Sequence, residues 1–124
     1  MSRVFALLSV TVIVAGLFTA ATAADDDKPL EKHSIKDVMK TAHKMGLVQK
    51  VVGKEASDEE REQLVELYIA MAENDAPKGS QKEWKVRSAR LIVAAADAAE
   101  DPENVDALKA ASNCGACHKA HKKS

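Results

Sequence analysis

The sequence predicts an all-α protein folded as an antiparallel up-and-down four-helix bundle. Three segments beginning at Ser34, Ser57 and Ser80 place an acid three residues after the serine and precede a run of apolar residues at helical spacing, the pattern of a helix whose first turn is capped by its own side chains. The connections between the runs are short, which favours antiparallel neighbours. No segment alternates apolar and polar residues over a strand's length, and none repeats another at a fixed period.

Ahead of these runs the composition changes sharply. Arg3 precedes an apolar stretch from Val4 to Phe18, and Ala21-Thr22-Ala23 has the small-x-small form of a signal peptidase site. A cleaved export signal over residues 1–23 is therefore expected. A retained anchor competes, since Val4 to Ala24 carries no charge and approaches the ~20 residues that span a bilayer. The stretch ends in Thr and Ala and meets Asp25-Asp26-Asp27 rather than a basic flank, which favours cleavage. Cleavage removes Arg3 and no acid from a chain with 18 basic and 19 acidic residues, leaving a net charge of -2. Nothing in that balance points to nucleic acid, and no membrane partner remains once the signal is gone. Residues 24–33, charged and containing Pro29, read as a disordered lead-in. Residues 34–124 read as a single domain.

The first helix is expected from Ser34 to about Val52, with Ile35, Val38, Met39, Ala42 and Met45 on one face, Lys36, Lys40 and Lys44 on another, and Gly53 closing it. The second follows Ser57 and Glu60, carries Leu64, Leu67, Tyr68 and Met71, and reaches about Glu73. Asn74 to Gly79 is rich in turn formers and forms the longest internal loop. The third opens at Ser80, offers Trp84, Leu91 and the Val93–Ala99 region as apolar surface, and ends near Asp101-Pro102, where Asp caps and Pro takes the first position of the next helix. The fourth carries Val105, Leu108 and Ala111, runs through Cys114 to His118, and frays in the basic tail from Lys119 to Ser124.

Cys114-Gly115-Ala116-Cys117-His118 carries the chemistry. A disulfide between cysteines three apart closes a very short loop and removes little unfolded-state entropy. A thioredoxin-like pair belongs after a strand in an α/β pattern, which is absent. A zinc site built from Cys114, Cys117, His118 and His121 is the better rival. The favoured reading is covalent attachment of one haem c: on a helix both sulfurs reach one ligand, Gly115 and Ala116 leave room for a flat macrocycle, and His118 presents its imidazole to the iron. A haem would also supply a large apolar body to a small core in which aromatic residues are only 3% of the chain. His121 then reads as a surface residue.

The other axial position is open between Met39, on the inward stripe of the first helix, and His43, one turn later, with His33 a remote third candidate. Against ligation, Met39 reads as an ordinary core methionine and His43 as a half-exposed histidine between lysines. Arg87 and Arg90 read either as partners of a haem propionate or as solvated charges, and Trp84 as a core or haem-packing residue.

Three stretches together resemble the class II cytochromes c, the cytochrome c′ group and its low-spin relatives: Cys114 to His118, Trp84 to Arg87 with its Trp-x-x-Arg pattern, and Val38-Met39-Lys40. The resemblance implies His118 and Met39 as fifth and sixth ligands of a six-coordinate electron carrier. The export signal makes it a periplasmic carrier of single electrons, and with no second haem motif and no evident distal acid-base pair an enzyme such as a peroxidase is not expected. Members with an open sixth position bind small gases, which is the alternative. The chain departs from the family in its shortness and in placing His43 one turn beyond Met39. Redox partner proteins are implied without identity, with Lys119, Lys122 and Lys123 as the face that would meet an acidic one. Class II bundles often pair into homodimers, and the helix faces here do not decide that.

Overall fold

The computed structural model describes residues 33–124; the expected export signal over 1–23 and the lead-in as far as residue 32 lie outside the described residues. Among these the chain is mostly helical with no strand, as the all-α prediction requires. No helix among them is long and apolar enough to cross a membrane.

The first helical run differs from the unbroken helix that its spacing suggests. α1 (Ile35–Val38) starts at Ser34, whose hydroxyl accepts the Asp37 N–H at 3.2 Å while the Asp37 carboxylate accepts the Ser34 N–H. That hydroxyl, first among its contacts, holds the Asp37 carboxyl below its ordinary range. A π-helical stretch (Met39–Lys44) follows, in which the Met45 N–H reaches back five residues to the Lys40 carbonyl at 2.8 Å. The wider turn takes up an extra residue, so Met45 rotates off the apolar stripe and is 68% exposed instead of inward. Gly46, at φ +84, then turns the chain into α2 (Leu47–Val52), a conformation that glycine adopts without steric cost. Gly53 does not close α2 in the left-handed region; its φ is -77 and Lys54 takes that role at φ +63.

α3 (Asp58–Glu73) and α4 (Gln81–Glu100) begin after Ser57 and Ser80 as the capping patterns indicate. They are the most extensively packed pair of elements. Leu64, Leu67, Tyr68 and Met71 of α3 share one core with Trp84, Leu91, Ala94, Ala95 and Ala98 of α4, and Val38, Ala42, Leu47, Val48 and Val51 join it from the first run. Val93, expected inside, is 60% exposed: the alanines hold the inward positions of α4.

The fourth run is also divided. Asp101 and Pro102 lie in a turn, with Asp101 Oδ1 accepting the Glu103 N–H at 3.0 Å and the Asp101 carbonyl accepting the Asn104 N–H at 2.9 Å. Pro102 therefore starts no helix, and α5 (Asp106–Ala111) begins four residues later. The chain breaks again at Ser112-Asn113, and the Asn113 side chain accepts the Ala116 N–H at 3.1 Å to open α6 (Cys114–His121). Asparagine in mid-pattern offers the backbone a cap instead of continued helix, which separates the Cys114–His118 run from the helix that precedes it.

Replacing Ser57 by Ala should lower the unfolding free energy by about 1 kcal/mol, measured by chemical denaturation. Lys50, and then the Ser57 N–H, hold the Glu60 carboxyl below its ordinary 4.5. Because the folded value is the lower one, this stabilisation is complete above the unfolded value and is lost as pH falls through the folded one. Glu60→Gln should therefore lose less melting temperature on acidification than the wild type.

Candidate functional site

α6 packs extensively against no other helix. His121 is its single buried residue, and clefts open beside it. Both cysteines are free thiols, Cys114 exposed and Cys117 half-buried, with the exposed His118 next in the chain. Burial pushes the Cys117 thiol up, against the lowering influence of Arg87.

A narrow cleft of about 60 Å³ is lined by Met39, His43, Met71 and Leu91 on the core side and by Cys114, Cys117 and His118 on α6. A second, of about 360 Å³, is lined by Ile35, Met39, His43 and Trp84 facing Cys117, His118 and His121, with Lys44, Lys122 and Lys123 also contributing. A third, more open groove of about 750 Å³ runs between α4 and the α5–α6 region and is lined by Arg87, Arg90, Val93, Ala111 and Cys117. All three meet Cys117.

The structure thus brings together Met39, His43, Cys114, Cys117 and His118, residues taken from opposite ends of the described chain. His33 is exposed and lines none of these clefts. Arg87 lies beside Cys117 in the outer groove, apart from the two clefts that contain His118.

The π-helical stretch carries both Met39 and His43. His43 Nε2 lies 3.5 Å from the Tyr68 hydroxyl, with the rings tilted at 42° and their centroids 6.0 Å apart. Burial, and after it the charge of His118, lowers the pKa of His43, so its imidazole favours the neutral form that has a lone pair to give. Burial pushes the Tyr68 phenol up, so its O–H stays available as a donor toward that ring.

His121 corrects the sequence reading outright. It is only 2% exposed. Its Nδ1 is 3.0 Å from the Lys78 carbonyl, and its ring stands edge-on to Trp84 at a centroid distance of 5.4 Å and an interplanar angle of 76°. One sequence signal pointed there: His121 follows Cys117 by one helical turn and so shares its face, but the lysines on either side masked it. Because His121 is turned into this contact, the four-ligand zinc set is not assembled, and among the described residues no group of three or more His, Cys, Asp or Glu side chains is gathered as a metal would require.

No family model, curated protein or solved structure matches the chain, so the reading of the site rests on its own residues.

In chain that carries no group on its thiols, alkylation with iodoacetamide should label Cys114 faster than Cys117, because the latter is less exposed and burial pushes its thiol up. Peptide mapping at short reaction times would measure the order, and equal labelling would contradict it.

Proposed function

We propose that the chain is an exported, periplasmic c-type cytochrome with one haem, and that it carries single electrons without substrate chemistry of its own. One observation supports this above the others: Cys114, Cys117 and His118 follow one another on α6 and line clefts whose far wall holds Met39 and His43. The donor set suits a haem, with two free thiols for thioether links, one exposed imidazole for the iron, and a thioether or neutral imidazole across the cleft. The apolar lining suits the macrocycle. When bound, the haem supplies an iron that cycles between the ferric and ferrous states.

Each neighbouring residue has its part in this reading. Cys114 and Cys117 would tether the group, and His118 would be the fifth ligand. Met39 would be the sixth, with His43 the alternative from the same π-helical stretch. Met71, Leu91 and Trp84, which line the clefts, would keep water from the bound group, and Arg87 in the outer groove is the candidate partner for a propionate. The broken first run, α3, α4 and the divided α5–α6 run are then the four arms of an up-and-down bundle. A Met ligand would set a higher potential than a His one.

Charge supports a direction for docking. The described ion pairs, Lys50–Glu60, Lys54–Glu103, Arg61–Asp58 and Lys109–Asp106, neutralise bases on α2, just beyond its end, on α3 and on α5. None includes Lys44, Lys122 or Lys123 beside the second cleft, nor the neighbouring Lys119. An acidic redox partner is the kind this face would steer. The second reading, a five-coordinate protein that binds small gases, follows if neither Met39 nor His43 reaches the iron.

Protein made in a host able to attach haem should be coloured and heavier than the trimmed polypeptide by one haem. Colourless material of polypeptide mass would end the proposal. A ferrous spectrum indifferent to carbon monoxide marks the carrier, and ready carbon monoxide binding marks the gas-binding alternative. Met39→Ala should convert the iron to a carbon monoxide-binding form while His43→Ala leaves it unchanged; the reverse result would assign His43. Lys122→Glu with Lys123→Glu should slow electron exchange with an acidic partner at low salt, the difference shrinking as ionic strength rises.

A further inference from the structure

We propose that His121 is a positioning residue: it latches α6 to the loop ahead of α4 and so fixes where His118 stands across from Met39 and His43. The proposal rests on the haem reading above and adds the control of its ligand geometry.

The loop is built as a rigid support. The Trp84 indole N–H donates to the Asn74 carbonyl at 2.8 Å. Gln81 closes a reciprocal pair with Ala76, accepting its N–H at 2.8 Å and donating to its carbonyl at 3.1 Å. Lys85 adds a bond from its ammonium to the Ala72 carbonyl. These bonds pin the loop at Asn74 and Ala76, and farther along it the Lys78 carbonyl lies 3.0 Å from His121 Nδ1. A carbonyl only accepts, so Nδ1 carries the hydrogen.

At Gly79 loop and helix touch backbone to backbone. Its φ is +81, and a β-carbon there would come within 2.6 Å of the Ala120 carbonyl oxygen and 3.3 Å of His121 Nδ1. Only a residue without a side chain allows this approach.

The latch lies one helical turn from His118, whose carbonyl accepts the Lys122 N–H at 3.0 Å. Trp84 and His121 are walls of the same cleft that Met39, His43 and His118 line. Displacing His121 would therefore move the His118 imidazole relative to Met39 and His43. The choice of side chain supports a directional role. His121 Nε2 is buried with no hydrogen-bond partner among the described residues, a penalty that an apolar side chain filling the same space would avoid. An imidazole is worth that penalty where its Nδ1–H bond matters.

The two nitrogens can be tested separately in the haem-loaded protein. Asn at 121 places an amide nitrogen near the position of Nδ1, and Gln places one near Nε2. His121→Asn should keep the wild-type ferrous spectrum and carbon monoxide response. His121→Gln and His121→Leu should lose both, with the haem still covalently attached by mass. Gly79→Asn, which tolerates positive φ but carries a β-carbon, should produce the same spectral loss with His121 intact; this variant reads the latch even if a change at 121 prevents folding. A lower melting temperature with an unmoved spectrum in His121→Leu would reduce His121 to a purely structural residue and overturn the proposal. So would rescue by Gln in place of Asn, which would make Nε2 the working nitrogen. Colourless wild-type protein would overturn the haem reading and the latch together, whereas coloured wild type with indifferent variants would overturn the latch alone.

Discussion

Ala94, Ala95 and Ala98 on α4 let that helix lie close against Leu64, Leu67, Tyr68 and Met71 of α3, and the remaining elements are arranged around this pairing. Small side chains on one surface and large ones on the other fill the space between the two helices. The first helical run closes over one side of it with Val38, Ala42 and the apolar residues of α2. α5 contributes Leu108, and Val105 precedes it. The carboxyl-terminal segment is left without a broad surface to join, and clefts flank it on more than one side.

That division of labour explains the location of the chemistry. The frame carries the apolar walls, Met71, Leu91 and Trp84, in well-determined positions. The groups able to bind metal or form covalent bonds sit on the irregular parts: Met39 and His43 on the π-helical stretch, Cys114, Cys117 and His118 on a short helix opened by its own Asn113 cap. π-helical turns recur at functional sites because they redirect side chains without ending a helix. Here such a turn sends Met45 outward while Met39 and His43 stay on the cleft.

Much of this was legible in the residues. The three serine caps located the starts of the first run, α3 and α4, because a hydroxyl with an acid three positions later satisfies orphan backbone groups by purely local geometry. Trp84 and Leu91 belonged to the core by periodicity alone. The reading failed where local signals compete. A 3.6-residue period was carried through Met45, but the backbone widened its turn there. The apolar pattern of the fourth run continues across Asn113, but its side chain caps more readily than it continues a helix. The tail beyond Cys117 was read by composition, and four charged or titratable neighbours hid the one that packs. Placing Met39 and His43 opposite His118 required only helical spacing and the Cys114–His118 motif, whereas the Lys78–His121 contact joins residues 43 apart in the chain, and no local pattern encodes it.

The break at Ser112-Asn113 leaves α6 as a separate eight-residue helix, too short to persist in water by itself. It therefore depends on the contacts that His121 makes with Lys78 and Trp84. Under the proposed haem reading, a bulky group could be joined to the exposed Cys114 and half-buried Cys117 without prising open the interior that α3 and α4 share.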